Sequence, residues 1–78
     1  MKNNIEAILL RNKLRMAEGP RNQSELAQRI NKDESYVSLI VNNKLIPGGE
    51  VLLAIAEALG LSIEEVFFKD EHEAEKVG

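Results

Sequence analysis

Few residues of this chain have the type and spacing that catalysis requires. Ser24, Ser35 and Ser38 have no histidine or carboxylate placed to activate them as nucleophiles. The segment "PGG", residues 47–49, lacks the preceding strand and the following lysine of a phosphate-binding loop. We therefore expect no enzymatic activity and no small-molecule substrate.

Residues that bind metals are also sparse. The single histidine, His72, stands between Glu71 and Glu73, where a metal ion could bind, but a lone exposed histidine without a second fixed ligand more commonly has no such role. There is no cysteine, which excludes disulfides and thiolate metal sites. We predict neither a metal site nor a cofactor.

The most informative polar stretch is "NKDESYVSLIVNNK", residues 31–44. Its apolar residues Val37, Ile40 and Val41 have the i, i+3, i+4 spacing of a helix that faces a core. This geometry turns four other residues outward and leaves a fifth at the flank: Glu34, Ser35, Ser38 and Leu39, with Tyr36 beside them. A tight turn precedes the helix, as in proteins that insert a helix into a DNA groove.

The elements that must position this stretch are short helices around one small core. The first helix should begin after Asn3 or Asn4 and bury four residues: Ile5, Ile8, Leu9 and Leu14. Gly-Pro ends it, and "QSELAQRI" forms the second helix, with Asn22 as its N-cap and Glu25 three positions on. Asp33 should cap the third helix.

The second half of the chain predicts two more helices. "EVLLAIAEAL" forms the fourth, which ends at Gly60, and Ser62 with Glu65 makes a capping box for the fifth. We find no β-type alternation. The sequence therefore predicts an all-α domain of five helices at residues 1–69, followed by a charged tail at residues 70–78.

Length and charge limit the possible functions. The 78 residues form one domain at most, and the net charge of -3 at first argues against a nucleic-acid partner. However, residues 1–45 carry eight Lys and Arg against five Asp and Glu, whereas residues 46–78 carry two against eight. Solvated helix faces would explain the same asymmetry. Because the N-terminus has no signal-peptide pattern and no apolar run is long enough to span a membrane, we expect a soluble, cytoplasmic protein.

Four segments resemble the Cro/repressor-type (Xre, lambda-repressor-like) helix-turn-helix family in order and nearly in spacing: "NQSELAQRI", "SYVSLI", "NNKLIP" and "LLAIAEALGLSIEEVF". The resemblance covers roughly residues 10–67. It implies a compact five-helix fold and a transcriptional regulator that binds double-stranded operator DNA through helix three as a homodimer. The alternative is a protein-docking module that uses Leu39, Leu45 and the Phe67-Phe68 end without specific DNA readout.

The resemblance also implies phosphate contacts. Gln23 and the neighbouring Ser24 begin the second helix, where free amides and the positive end of the helix dipole favour an anion. Asn42 and Lys44 look like a second phosphate clamp, with Asn43 in place of the family's usual glycine. Ordinary capping and turn roles are the alternative for all of them.

The same resemblance places the outward residues of the third helix at the base-reading surface. Glu34 can accept a hydrogen bond from cytosine N4, the serines can donate or accept, and Leu39 can pack on a thymine methyl. Bidentate arginine-guanine and glutamine-adenine pairings are absent, so we expect modest direct readout, with much of the specificity left to DNA shape and half-site spacing. Alternatively, Leu39 is an ordinary surface leucine or a protein-docking residue.

Two further expectations concern departures from the family pattern and the dimer. Arg15 stands where the family has an arginine that pairs with a glutamate, but Val41 occupies the partner position, so Arg15 is either solvated or free to meet a phosphate. Phe68 and Leu53 should stay exposed on a core of this size and support dimerisation, unless Phe68 only caps the core.

Overall fold

The computed structural model describes residues 1–69, which form five helices and one pair of very short strands. Their bounds are β1 Lys2–Asn3, α1 Ile5–Leu14, α2 Gln23–Ile30, α3 Glu34–Val41, α4 Gly49–Leu59, α5 Ile63–Val66 and β2 Phe67–Phe68. The predicted all-α, five-helix architecture is confirmed. The predicted tail at residues 70–78, with His72, lies outside the described residues.

The inner face of α1 differs from the prediction at its C-terminal end. Ile5, Ile8 and Leu9 are buried, but Leu14 is 73% exposed, so its predicted burial is wrong. The spacing of the first three continues to Asn12, which is buried and lies about 200° around the helix from Leu14. The side-chain amide of Asn12 donates a hydrogen bond to the Pro20 carbonyl at 2.9 Å. A polar residue therefore completes the core face because it satisfies a buried carbonyl of the next loop.

The two ends of α2 and the start of α3 show how these helices are capped. Asn22 caps α2, since its Oδ1 accepts from the Glu25 amide at 2.8 Å, while the Glu25 carboxylate accepts from the Arg21 amide. Asn31 ends α2 with φ 57°, in the left-handed region that asparagine tolerates. Asp33 holds the N-cap position of α3, but its side chain makes no capping hydrogen bond, which corrects that detail of the prediction.

α4 ends and α5 begins as predicted. Gly60 closes α4 with φ 72°, a conformation that glycine adopts without steric cost. The capping box of α5 is present: the Glu65 amide donates to Ser62 Oγ, and the Ser62 amide donates to Glu65 Oε1 at 3.0 Å. Hydrogen bonding of the Glu65 carboxylate to Ser62, first to its backbone amide and second to its side chain, lowers the pKa of Glu65.

The two strands were not predicted, because two residues are too few to show alternation. β1 and β2 pair antiparallel, with Lys2 opposite Phe68 and Asn3 opposite Phe67. The pairing continues to Asn4, the N-cap of α1, whose amide donates to the Val66 carbonyl at 3.1 Å. The start of the described chain is thereby fastened to its end.

A single core joins the helices. α2 packs against both α3 and α4. The largest fully buried side chains come from every helix: Ile5, Leu26, Val37, Ile40, Ile55 and Val66. Within residues 1–69, none of the helices has the length and apolar character needed to cross a membrane.

Candidate nucleic-acid interface

The outward face of α3 is accessible, as predicted. Glu34, Ser35 and Leu39 are exposed, with Leu39 at 47%, and Ser38 is half-buried. The inner face holds Val37 and Ile40 in the core, while Val41 is half-buried against it. The core therefore anchors α3 and leaves its polar face and one leucine accessible.

Tyr36 lies at the edge of this face. It is half-buried and packs against the core, and the Lys32 ammonium lies 5.4 Å from the centre of its ring. This separation allows a cation-π contact that steadies both side chains. Tyr36 is therefore less accessible than Glu34, Ser35 and Leu39, in agreement with its predicted place on the flank.

Three residues that follow α3, Asn42, Asn43 and Lys44, form what we call the clamp loop. Asn43 has φ 60°, so it adopts the left-handed conformation expected for a residue in the place of a glycine. The side-chain amide of Asn42 donates to the Ser38 carbonyl at 2.9 Å, which turns it back along α3. Lys44 is exposed, and its backbone amide donates to the Leu39 carbonyl at 2.8 Å. The loop is therefore built by backbone bonds to α3 and carries one exposed cation.

The start of α2 supplies the second group of predicted phosphate donors. Gln23 and Ser24 are both half-buried at the first turn, where backbone amides lack partners within the helix. The side-chain amide of Gln23 donates to Glu6 Oε1 on α1 at 2.6 Å. Sequence reasoning missed this contact, because nothing in the local pattern joins two residues 17 positions apart.

An open groove of about 330 Å³ runs between α1 and the first residues of α2 and α3. Its charged and polar lining combines two cations with two carboxylates: Lys13, Arg21, Glu6 and Glu34, together with Asn22 and Gln23. The potential of this surface is consequently mixed rather than uniformly positive. Lys13 and Arg21 were not predicted from the sequence as DNA-contacting residues, although Arg21 stands only two positions before Gln23.

Part of the predicted protein-docking surface is not exposed. Leu45 is half-buried against the core and Phe67 is buried, so the protein-docking surface of the alternative function is reduced to Leu39 and Phe68. Arg15 is exposed, which fits both of the roles expected for it, a solvated side chain and a phosphate contact.

The α2-turn-α3 geometry and the sequence agree with a known family. A family model described as helix-turn-helix matches residues 13–66, well over half of the chain. The chain belongs to this helix-turn-helix family. The predicted resemblance is thereby confirmed, and it supports a DNA-binding regulator. No curated protein matches the sequence.

A solved structure shares the fold of this helix-turn-helix chain. It is the crystal structure of a hypothetical transcription factor, NHTF, from Neisseria, with a TM-score of 0.59 and 19% identity. The superposition covers 94% of this chain and 85% of that one. At this identity the likeness supports the fold alone.

One residue that contacts the end of α3 lies outside the matched range. The Asn3 side chain reaches the end of α3, where its amide donates to the Ile40 carbonyl at 3.1 Å and to Asn43 Oδ1 at 3.3 Å. Asn3 Oδ1 also accepts from the Ile5 amide at 3.1 Å and so satisfies the first amide of α1, while Asn4 holds the N-cap position. From the sequence, Asn3 could be predicted only as a possible cap for α1, because its partners Ile40 and Asn43 lie 37 and 40 positions away.

Proposed function

We propose that this protein is a sequence-specific transcriptional regulator of the Cro/repressor type that inserts α3 into the major groove of operator DNA. The observation that carries the proposal is the placement of the α3 face. It combines exposed side chains of types that can contact bases with the start of α2 before it in the chain and the clamp loop after it. Phosphate contacts on both sides would fix the register of α3, while base contacts would set the sequence.

Direct readout by this face is modest in chemical terms. Leu39 offers an exposed apolar surface for a thymine methyl, Glu34 offers an acceptor for cytosine N4, and Ser35 offers a hydroxyl. Ser38 is partly occupied, because its carbonyl and hydroxyl both lie within hydrogen-bond distance of the Asn42 amide. We therefore assign a large share of the specificity to DNA shape and to the spacing of two half-sites.

Phosphate contacts are assigned to the start of α2 and to the clamp loop. Lys44 is the exposed cation of that loop, so Lys44→Ala should weaken binding to all duplex sequences alike. The plot of log affinity against log salt concentration should also become shallower by about 0.9, the counterion release expected for one phosphate contact on duplex DNA.

A retardation assay across a salt series measures both effects. Lys69→Ala is the matched control, because Lys69 is exposed but lies outside the clamp loop and the groove. If Lys44→Ala and Lys69→Ala change the salt slope equally, the clamp loop does not contact phosphate. If the wild-type protein retards no duplex at any salt concentration, the protein-docking alternative becomes the better account.

We also propose that the protein acts as a homodimer in the cytoplasm. Phe68 is 44% exposed and Leu53 is 49% exposed, whereas Phe67 and Ile55 are buried, so apolar surface remains at β2 and on α4. Two-fold pairing would present two copies of α3 about 34 Å apart and would select inverted repeats. Sedimentation at micromolar concentration should show a dimer that Phe68→Ala weakens. A monomer whose DNA affinity is unaffected by Phe68→Ala would contradict it.

A further inference from the structure

The end of α3 receives a polar contact from the start of the chain. The last carbonyls of a helix have no partners within the helix and must be satisfied from elsewhere. The side-chain amide of Asn3 lies 3.1 Å from the Ile40 carbonyl and 3.5 Å from the Val41 carbonyl. The same amide lies 3.3 Å from Asn43 Oδ1, in the clamp loop. One side chain thus contacts both the end of α3 and the loop that follows it.

Asn3 is itself held in place at both ends. Its backbone pairs with Phe67 in the two-stranded sheet, and its Oδ1 accepts from the Ile5 amide at the start of α1. The sheet and α1 therefore fix the point from which the side chain reaches α3.

The hydrogen bonds of Asn3 lie beside a pocket next to the clamp loop. This partly open pocket of about 90 Å³ is lined by Asn3, Asn43 and the apolar residues Ile40, Leu45 and Phe67. The hydrogen bonds of Asn3 therefore join two of the segments that line the pocket.

We propose that Asn3 is a positioning residue for DNA binding, which sets the place of the clamp loop relative to α3. The proposal rests on the proposed function. Asn3 itself need not touch DNA. Its side-chain amide holds Asn43 and the last turn of α3 in place, so that Lys44 can contact a phosphate while Leu39 contacts a base. The segment that performs this lies outside residues 13–66, the part of the chain that the family model matches.

The neighbouring residue provides a matched control. The Asn4 side chain also donates a long-range hydrogen bond, to the Glu65 carbonyl at 2.8 Å, but it has no bond to α3. Neither substitution to serine changes the net charge, and both leave a hydroxyl that can cap α1. Only Asn3→Ser removes the donors at the end of α3, because serine is too short to reach them.

The first test measures backbone hydrogen exchange by NMR without DNA. The amides of Asn43 and Lys44 donate to the Ile40 and Leu39 carbonyls, so they report on the clamp loop. In Asn3→Ser these two amides should exchange about fivefold faster, as expected for one lost hydrogen bond, whereas Asn4→Ser should leave them within about twofold of wild type. Equal rates in the two variants would overturn the proposal.

The second test measures affinity for duplex DNA well below the melting temperature of each variant. Asn3→Ser should bind about five- to tenfold more weakly, because a hydrogen bond is lost and the phosphate contact of Lys44 is displaced. Asn4→Ser should bind as wild type, even if its melting temperature falls by the same amount. Unchanged affinity in Asn3→Ser would overturn the positioning role.

Failure of the proposed function and failure of the positioning role give different results in these tests. A wild-type protein that binds no duplex overturns the proposed function and with it the role in DNA contact, whereas the exchange data still decide whether Asn3 holds the loop. If Asn3→Ser does not fold, NMR on the wild-type chain replaces it. Cross-peaks from the side-chain amide protons of Asn3 to Ile40 and Asn43 support the proposal, and their absence overturns it.

Discussion

The carboxylate of Glu6 provides a test of where DNA lies on the protein. Glu6 is exposed in the groove, and its Oε1 accepts a hydrogen bond from the side-chain amide of Gln23 at 2.6 Å. If a phosphate sits at the start of α2, as proposed, this negative charge lies close to it and opposes binding. Glu6→Gln removes the charge but keeps an oxygen that can accept from Gln23, so the change is mainly electrostatic.

The size of the effect follows from Coulomb's law. A unit charge about 7 Å from a phosphate in water is repelled by about 0.6 kcal/mol, so Glu6→Gln should tighten binding to a duplex about threefold. Screening has a length of about 8 Å at physiological ionic strength, so the gain should be largest in low salt and shrink as salt is added. Fluorescence anisotropy with a labelled duplex of arbitrary sequence, at low and at physiological salt, measures both.

Glu57→Gln is the control for this prediction. Glu57 is an exposed carboxylate on α4 that does not line the groove, so its neutralisation changes net charge by the same amount without acting on the proposed phosphate. The reasoning is refuted if Glu6→Gln binds no more tightly than wild type. It is also refuted if the two variants gain equally, since the effect would then reflect net charge alone.

Two other predictions concern stability and its dependence on pH. Asn12→Ala should lower the free energy of unfolding by about 1 to 3 kcal/mol, because the buried Pro20 carbonyl loses its donor; urea denaturation measures this, and a loss below that range would contradict the assigned bond. The Ser62 bonds lower the pKa of Glu65 in the folded state, so its carboxylate adds stability above its ordinary pKa and loses it as pH falls through the lowered value. Wild type and Glu65→Gln should therefore differ in stability at neutral pH and converge in acid, and a difference that stays constant with pH would contradict this.

The features that could be predicted from the sequence depend on residues close together in the chain. The Asn22 cap and the Ser62 box join atoms three positions apart, and the left-handed Asn31 and Asn43 follow from the conformations that asparagine tolerates. Gly60 likewise ends α4 as its lack of a side chain allows.

The features that could not be predicted depend on tertiary contacts. The pairs Asn3 with Ile40 and Gln23 with Glu6 form only once the helices have packed, and neither residue type indicates its distant partner. The error at Leu14 has a different origin. Leu14 is apolar but departs from the strict helical spacing, which points to Asn12, and the neighbouring loop needs Asn12 as a donor.

The central claim is that α3 reads bases through its outward face. Selection of bound sequences from a random duplex pool, carried out in parallel with wild type, Leu39→Ala and Glu34→Ala, tests it most directly. We expect Leu39→Ala to relax the preference for one thymine by roughly 1 kcal/mol, the low end for a base contact, and Glu34→Ala to bind non-specific DNA more tightly because a charge that faces phosphates is removed. If all three proteins select the same motif, this face of α3 does not read DNA.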